Sequence, residues 1–314
     1  MAQSLFITLK QQQPDCRIDV IATPWSVPLL KRMPQVDEAI ELPIAHKQLK
    51  LLSRYRLGRQ LRQRKYDKAI ITPRSFKSAL VPFFAGAKRR VGYRGEHRYG
   101  LLNDIRHLDK SVLSQTVQRY VALGFAQELS QPPVVPLPVL RVDKDNQARL
   151  LDKFELTQDR QIIAMMPGAE YGPAKQWPVA YYQQLAEQLV TQGHQVWVFG
   201  SNKEAVLGHL IATREGIFNL CGRTELVDVI DLLALATHAV TNDSGLMHIA
   251  AATGVHVVAI YGSSDPNYTP PLTDKATIVY KALSCSPCFK RTCPLGHTNC
   301  LNEIKFAEVL EYLQ

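Results

Sequence analysis

The stretch that most constrains the fold lies near the end of the chain. An apolar run ends at Thr241, the loop Asn242–Gly245 follows, and a second apolar run occupies Val255–Tyr261. This pattern predicts two buried parallel strands joined by a helix. Asp243 or Ser244 can cap that helix, and the glycine of the loop lets the backbone approach a ligand closely. Because a helix N-terminus carries unpaired N–H groups and partial positive charge, the corner suits a phosphate; an ordinary capped helix is the alternative.

The same alternation of short apolar runs and helical patterns extends along the chain and predicts parallel α/β layers. The predicted strands are Arg17–Ala22, Ala39–Leu42, Lys68–Thr72, Gln161–Met166, Gln195–Phe199, His238–Thr241, Val255–Tyr261 and Ala276–Tyr280. The predicted helices are Ser4–Gln12, Gln48–Arg64, Phe76–Ala85, Leu113–Leu123, Lys144–Phe154, Val179–Thr191, Lys203–Thr213, Leu226–Ala236, Leu246–Ala252 and Glu303–Leu313.

The prolines of Gln131–Leu140 exclude a helix or a central strand and indicate a linker. We therefore expect an α/β chain of two Rossmann-like, doubly wound domains, residues 1–142 and 143–314, facing across a cleft. The last helix is expected to pack back on the first domain. A doubly wound domain normally begins with a strand, but the pattern here begins with a helix, so the first strand of the first domain is expected to be missing.

The composition is that of a globular protein: 314 residues, 46% hydrophobic and 21% charged. We find no apolar run of the roughly 20 residues that span a bilayer and no signal peptide, and we expect a cytoplasmic protein. The net charge of +9 is uneven. Residues 1–110 hold 22 Lys and Arg against 9 Asp and Glu, whereas residues 111–314 hold 15 against 19. The first half therefore attracts an anionic partner.

One basic segment is interleaved with leucines and predicts an amphipathic helix. Its cations are Lys47, Lys50, Arg54, Arg56, Arg59, Arg62, Arg64 and Lys65. Such a helix contacts an anionic membrane surface or another polyanion; a solvated helix face is the alternative. No nucleic-acid-binding signature accompanies it, so we do not expect nucleic acid as a partner.

Two further corners follow predicted strands in the second half. The loop Pro167–Pro178 is rich in Gly and Pro and carries Lys175, a point charge suited to phosphate. Trp177 in the same loop is expected to pack in the core. The corner Gly200–Asn202 could hold a nucleoside, or be a plain turn. Three such corners in one domain, together with Lys175 and the Asp243–His248 loop, favour a nucleotide-diphosphate site. The chain has neither a G-x-G-x-x-G fingerprint nor a P-loop, which argues against a dehydrogenase or an NTPase.

A second cationic group follows the strand predicted at Lys68–Thr72. Its members are Arg74, Lys77, Lys88, Arg89, Arg90, Arg94, His97 and Arg98. These side chains could contact an anionic acceptor, or form a solvated basic surface.

Four of the six cysteines form a C-x2-C-x4-C-x6-C pattern near His297. They are Cys285, Cys288, Cys293 and Cys300. Four soft ligands this close together could hold a structural Zn²⁺, although the short middle spacing is less typical of zinc sites. Reduced thiols without a metal are the alternative, and a cytosolic setting disfavours disulfides.

Four segments together resemble the heptosyltransferase family of GT-B glycosyltransferases, and the resemblance covers essentially the whole chain. The segments are Arg74–Gly86, Arg98–Asp104, Pro167–Pro178 and Thr241–His248. The resemblance implies a GT-B fold and transfer of heptose from ADP-heptose to the lipid A-linked inner core of lipopolysaccharide, with inversion at the anomeric carbon. It also implies a peripheral location at the cytoplasmic face of the inner membrane, with no cofactor required. A related transferase with another sugar nucleotide is the alternative.

The resemblance also assigns roles to individual residues. It implies Lys175 and Asp243 as catalytic residues. The implied donor-binding residues are Gly168, Lys175, Ser201, Asn202, Thr241, Asp243, Ser244, Gly245, Leu246, Met247 and His248. The implied acceptor-binding residues are Arg74, Lys77, Arg94 and Arg98. The family pattern begins with a strand and a Gly-Asp-Met-type loop whose Asp is the general base, a segment expected before Met1. A chain that binds donor with impaired turnover is therefore a second alternative.

Overall fold

The computed structural model describes residues 1–44 and 48–313, and it divides the chain into two compact units, Met1–Pro136 and Leu137–Gln314. The division lies inside the proline-rich stretch. Lys47 of the predicted basic helix falls outside the described residues. In the part of the chain that the structure describes, we find no helix with the length and apolarity needed to span a membrane.

The described residues of the second unit form one parallel sheet of six strands. Its strands are β6 (Ile162–Met166), β7 (Gln195–Val198), β8 (Ile217–Asn219), β9 (His238–Asn242), β10 (His256–Tyr261) and β11 (Ala276–Tyr280), and its helices are α6 (Lys144–Phe154), α7 (Val179–Thr191), α8 (Ala205–Ile211), α9 (Leu226–Leu233), α10 (Gly245–Thr253), α11 (Asn299–Asn302) and α12 (Phe306–Glu311). The strand order is β8-β7-β6-β9-β10-β11. This order reverses direction between β6 and β9, which is the switch point where doubly wound sheets bind ligands.

Burial explains why these segments become central strands. Every residue of β6 and β7 is buried, as is all of β10 after its first residue. Such strands are apolar on both faces, as a parallel sheet between helical layers requires. Helix α6 begins where the Asp143 carboxylate accepts two backbone N–H groups at 3.1 Å, and α10 ends at Gly254, whose φ is +85°. Helix α12 packs against α7 of the same unit.

The first unit is also built from parallel strands, but in two sheets. Its strands are β1 (Asp19–Ala22), β2 (Glu38–Glu41), β3 (Lys68–Ile71), β4 (Arg89–Tyr93) and β5 (Asp104–Arg106), and its helices are α1 (Ala2–Gln12), α2 (Val27–Lys31), α3 (Leu51–Leu61), α4 (Leu80–Phe84) and α5 (Thr116–Ala122). Strands β1 and β2 form one sheet, and β3, β4 and β5 form the other. The predicted α/β class with parallel sheets is confirmed.

Three strands and two short helices, α2 and α11, were not predicted from the sequence pattern. Strands β4 and β5 contain arginines, and β8 has only three residues, so none of them is an apolar run. The arginines are tolerated because Asp104 of β5 accepts from Arg89 and Arg106, at 2.7 and 2.5 Å. Helix α2 has five residues and contains a proline, which leaves no helical periodicity to detect.

Several predicted helices are shorter than expected. The prediction Gln48–Arg64 becomes α3, Leu51–Leu61, followed by a 3₁₀ turn, and Phe76–Ala85 becomes a 3₁₀ turn and α4. The prediction Glu303–Leu313 becomes α12, Phe306–Glu311, because the extended backbone of Lys305 delays its start; helix α11, Asn299–Asn302, precedes the predicted range. Helix ends are set by capping and local geometry, which periodicity alone does not encode.

Candidate functional site

Two loops meet where the second unit's sheet reverses its strand order. One follows β6 and contains Pro167–Pro178; the other follows β9 and leads into α10. Strands β6 and β9 pair directly, with Met166 opposite Thr241. Both loops therefore leave the same edge of the sheet side by side. The loop that carries Lys175 and the loop that leads into α10, which are predicted to form one site, thus lie together in the structure.

Asn242 joins these two loops, and its side chain is completely buried. Its Oδ1 accepts from the backbone N–H of Trp177 at 3.0 Å and from the Tyr182 hydroxyl at 3.2 Å. Its Nδ2 donates to the carbonyls of Pro167 and Gly168. That Asn242 links the two loops was not predicted from the sequence, because an Asn after a strand is typical of a turn. Trp177 is buried, as predicted, and its indole N–H donates to the Ile304 carbonyl at 2.9 Å.

Lys175 and Asp243 form an ion pair across the two loops. The Lys175 side chain is 17% exposed and that of Asp243 is 6% exposed. The ammonium also lies 4.9 Å from the centre of the Tyr171 ring. A cation held between a carboxylate and an aromatic face is positioned before any ligand arrives. Tyr171 is a further residue that the sequence analysis missed.

Helix α10 begins at this pair without a side-chain cap. Ser244 occupies the N-cap position, but its hydroxyl makes no capping hydrogen bond, so the expected capping by Asp243 or Ser244 does not occur. The Ser244 Oγ is buried and has no hydrogen-bond partner in the described structure. Apart from the two chain neighbours of Gly245 and the backbone of α10 itself, no atom of the described residues lies within 4 Å of the position that a Cβ on Gly245 would occupy. The first turn of α10 therefore keeps its N–H groups and the space before them.

His248 lies one turn further along α10. Burial lowers the pKa of its imidazole to about 4, so the ring is neutral at pH 7. Its Nδ1 is buried and has no hydrogen-bond partner among the described residues. A neutral imidazole with a free ring nitrogen can donate one hydrogen bond to a phosphate or sugar oxygen.

The other residues implied as donor-binding differ in their surroundings. Thr241 is buried, and its hydroxyl donates to the Asn242 carbonyl. Met247 is also buried, and its sulfur accepts from the Tyr261 hydroxyl at 3.4 Å. Leu246 is half-buried. The side chains of Thr241 and Met247 thus pack inside the unit. Any contact of these two residues with a ligand would therefore come from their backbone atoms.

The corner after β7 is closed by Ser201 and Glu204. The Glu204 carboxylate accepts from the Ser201 backbone N–H at 2.8 Å, while the Ser201 hydroxyl caps the turn through the backbone N–H of Lys203. A Cβ on Gly168 would lie 2.9 Å from Glu204 Cγ, so a larger residue there would displace the Glu204 side chain. Asn202 is exposed beside this turn. The three corners of this sheet edge are therefore packed against one another.

The four residues implied as acceptor-binding lie in the first unit. Arg74 and Arg94 are exposed and linked by a hydrogen bond from Arg74 Nε to the Arg94 carbonyl at 3.1 Å. Lys77 is half-buried. Arg98 is only 3% exposed, and its guanidinium donates to the carbonyls of Pro73 and Tyr93. Arg98 thus holds the backbone of the basic loop, whereas the side chains of Arg74 and Arg94 are exposed at its surface.

The cysteine loop, residues 281–300, borders the Lys175 loop. All six cysteines are free thiols. Among the described residues, no three His, Cys, Asp or Glu side chains are arranged as a formed metal site. Burial raises the pKa of Cys300, and the nearby thiols of Cys285, Cys293 and Cys288 raise it further. The backbone N–H of Thr298 contributes most to lowering the pKa of Cys293; desolvation opposes this, and the backbone N–H groups of Leu295, Gly296 and His297 add to the lowering.

Residues 54–299 match the family model described as glycosyltransferase family 9 (heptosyltransferase). The chain belongs to this family. A lipooligosaccharide heptosyltransferase 2 of Haemophilus influenzae is 49% identical over 89% of this chain and 84% of the relative. The lipopolysaccharide heptosyltransferase 2 of Escherichia coli K12 is 44% identical over 100% of this chain and 93% of the relative.

A solved relative has the same fold. The structure of E. coli ADP-heptose lps heptosyltransferase II superposes with a TM-score of 0.86 at 42% identity, covering 99% of this chain and 92% of that one. The predicted GT-B, Rossmann-like class is confirmed. As a family 9 glycosyltransferase, the chain places the Lys175–Asp243 pair at the strand-order reversal where ligands of such sheets bind.

Proposed function

We propose that this family 9 chain transfers heptose from ADP-heptose to the inner core of lipopolysaccharide, with inversion at the anomeric carbon. The observation that carries the proposal is the contact between Lys175 and Asp243 beside the uncapped start of α10. Relatives 44% and 49% identical to the chain are a lipopolysaccharide and a lipooligosaccharide heptosyltransferase 2, which supports the choice of sugar and acceptor.

In this proposal the donor diphosphate lies against the first turn of α10. The acceptor oxygen attacks the anomeric carbon while the bond from that carbon to the diphosphate breaks, so negative charge develops on the departing ADP. The Lys175 ammonium and the N–H groups of Ser244 and Gly245 stabilise that charge. Lys175 is then a catalytic residue because it touches the leaving group.

Asp243 is proposed to act through Lys175. Its carboxylate holds the ammonium in place, so that little reorganisation is needed when the diphosphate binds. The corner formed by Ser201, Asn202 and Gly168 is proposed to hold the nucleoside, and neutral His248 to donate to a donor oxygen. The base that accepts the acceptor proton is not part of this set, because Asp243 is already committed to the donor side.

The first unit is proposed to contact the acceptor and the membrane. Arg74, Lys77 and Arg94 would bind anionic groups of the lipid A core. At the start of α3, Leu51 and Leu52 are 50% and 58% exposed next to exposed basic side chains. Exposed leucines beside arginines favour peripheral binding to an anionic bilayer at the cytoplasmic face of the inner membrane. Sedimentation with anionic vesicles checks this, and an Arg56→Glu, Arg59→Glu variant should remain in the supernatant.

The test of the reaction is a donor panel with a truncated lipopolysaccharide acceptor. We expect a heptosylated product and equimolar ADP with ADP-heptose, and none with UDP- or GDP-sugars. Transfer from a different nucleotide sugar would contradict the proposed donor. Tight ADP-heptose binding without any product would support the alternative of a donor-binding chain with impaired turnover.

A further inference from the structure

The cysteine loop forms a small cavity that the proposed transferase chemistry does not use. The cavity is lined by the four thiols of the loop, by His297, and by Ala174 and Ser263 from the neighbouring corners of the sheet. Its volume is about 20 Å³. A single water-sized sphere needs roughly 10–15 Å³, so the cavity has room for one small ion between the side chains that line it but not for an organic molecule.

One buried polar group at this cavity lacks an ordinary structural purpose. The Ser263 side chain is 1% exposed, and its hydroxyl has no hydrogen-bond partner among the described residues. The four cysteine side chains line the same cavity, and thiolate sulfur is the form of cysteine that binds metal ions.

We propose that Cys285, Cys288, Cys293 and Cys300 bind one thiophilic divalent cation, Zn²⁺ or Fe²⁺, as a structural tetrathiolate site. Four sulfur ligands and no open position are typical of structural sites for these ions. The thiols stand around the cavity without forming a coordination shell, so binding requires side-chain rotation toward its centre. The thiols lose their protons as the cation binds.

This site would hold the loop that carries Lys175. The Ala174 backbone N–H donates to the Arg291 carbonyl at 3.1 Å, and Arg291 Nε donates to the Tyr171 carbonyl at 2.6 Å. Gly172 has φ +150°, and a Cβ there would lie 2.4 Å from the Arg291 oxygen. Arg291 lies between the second and third cysteines, so a bound cation fixes the segment against which the Lys175 loop packs.

The first test measures the metal content of the unmodified full-length chain. Protein produced in medium with Zn²⁺ or Fe²⁺ is passed over a weak chelating resin and analysed by elemental mass spectrometry. We expect about one equivalent of metal per chain, and Co²⁺ exchanged into the site should give the absorption of tetrahedral cobalt thiolate. Metal removed by the resin, or four free or disulfide-bonded thiols with no metal, would overturn the proposal.

Matched variants localise the cation. Cys288→Ser is expected to lose the bound equivalent, whereas Cys16→Ser, which alters a free thiol in the first unit, should keep it. Metal retained by Cys288→Ser would contradict the assignment. Removing the metal should also weaken ADP binding while leaving the chain folded by circular dichroism. Because metal content is measured without donor or acceptor, this test stands even if the proposed transfer reaction fails.

Discussion

The two units use the same parallel strands and the same helical cover, yet their sheets differ. In the second unit, six strands form one sheet, and all residues of β6 are buried. In the described part of the first unit, five strands form two sheets, and every residue of β1 is partly exposed. Ile70 of β3 contacts the same apolar cluster as Val20 of β1, although the two strands belong to different sheets. The second unit therefore supplies the rigid frame that a preorganised anion site requires.

The difference also appears in how polar groups are held. In the second unit, the hydrogen bonds of Asn242 are buried and connect distant loops. In the first unit, Arg64 pairs with Glu38, and because these side chains are 35% and 38% exposed, water competes with the contact. Polar contacts of the same kind should contribute more to stability in the second unit than in the first.

The largest expected effect is that of Asn242→Ala. The substitution leaves the Trp177 N–H and two carbonyls unpaired in a buried position, which should lower the free energy of unfolding by roughly 3–5 kcal/mol. Asn103 is the matched control, since its side chain accepts from Arg90 and donates to Lys88 but is exposed. Asn103→Ala should cost less than about 1 kcal/mol. Equal losses in urea titrations would contradict the comparison.

The next effect is a dependence of stability on pH that arises from His248. The pKa of the His248 imidazole falls from 6.5 in the unfolded chain to about 4 in the folded chain. Between these values only the unfolded chain takes up the proton, so stability is complete above pH 6.5 and declines as the pH falls toward 4. The contribution to stability is at most about 3.5 kcal/mol, at about 1.4 kcal/mol per pKa unit. In His248→Gln, the urea unfolding midpoint should change less with pH across this range. A pH dependence equal to that of the unmodified chain would contradict the assignment of the effect to His248.

The smallest effect concerns backbone opening. Amide groups of β1 and β3 should exchange with deuterium roughly tenfold or more faster than those of β6 and β9, which corresponds to about 1.4 kcal/mol. The physical reason is that β1 and β3 are partly exposed and sit in small sheets. Equal protection of the two sets by mass spectrometry would show that the split sheet has no energetic consequence.

The same comparison explains what the sequence could predict. Strands β6, β9 and β10 are apolar runs because both faces are buried, and they were found to within a residue. Strands β4 and β5 were missed because their arginines are paired only once Asp104 is brought beside them. Periodicity reports burial along one element, and it carries no information about partners distant in the chain.

Prediction of the candidate site from the sequence is limited in the same way. Lys175 and Asp243 were assigned from loop chemistry and a family resemblance, and their contact follows from the pairing of β6 with β9. The role of Asn242 depends on Trp177 and Pro167, which lie 65 and 75 residues away. Arg291 and Tyr171 likewise act through contacts 120 residues apart. Only the fold reveals such residues.

Calorimetry of ADP binding to Lys175→Ala tests the central claim most directly. Lys281→Ala is the control, because Lys281 also forms an ion pair in the second unit, with Glu308 at 2.7 Å. Loss of a charge-assisted contact should weaken ADP binding roughly ten- to hundredfold in Lys175→Ala and leave it unchanged in Lys281→Ala. An ADP affinity of Lys175→Ala equal to that of the unmodified chain would contradict the account of a diphosphate held between Lys175 and the start of α10.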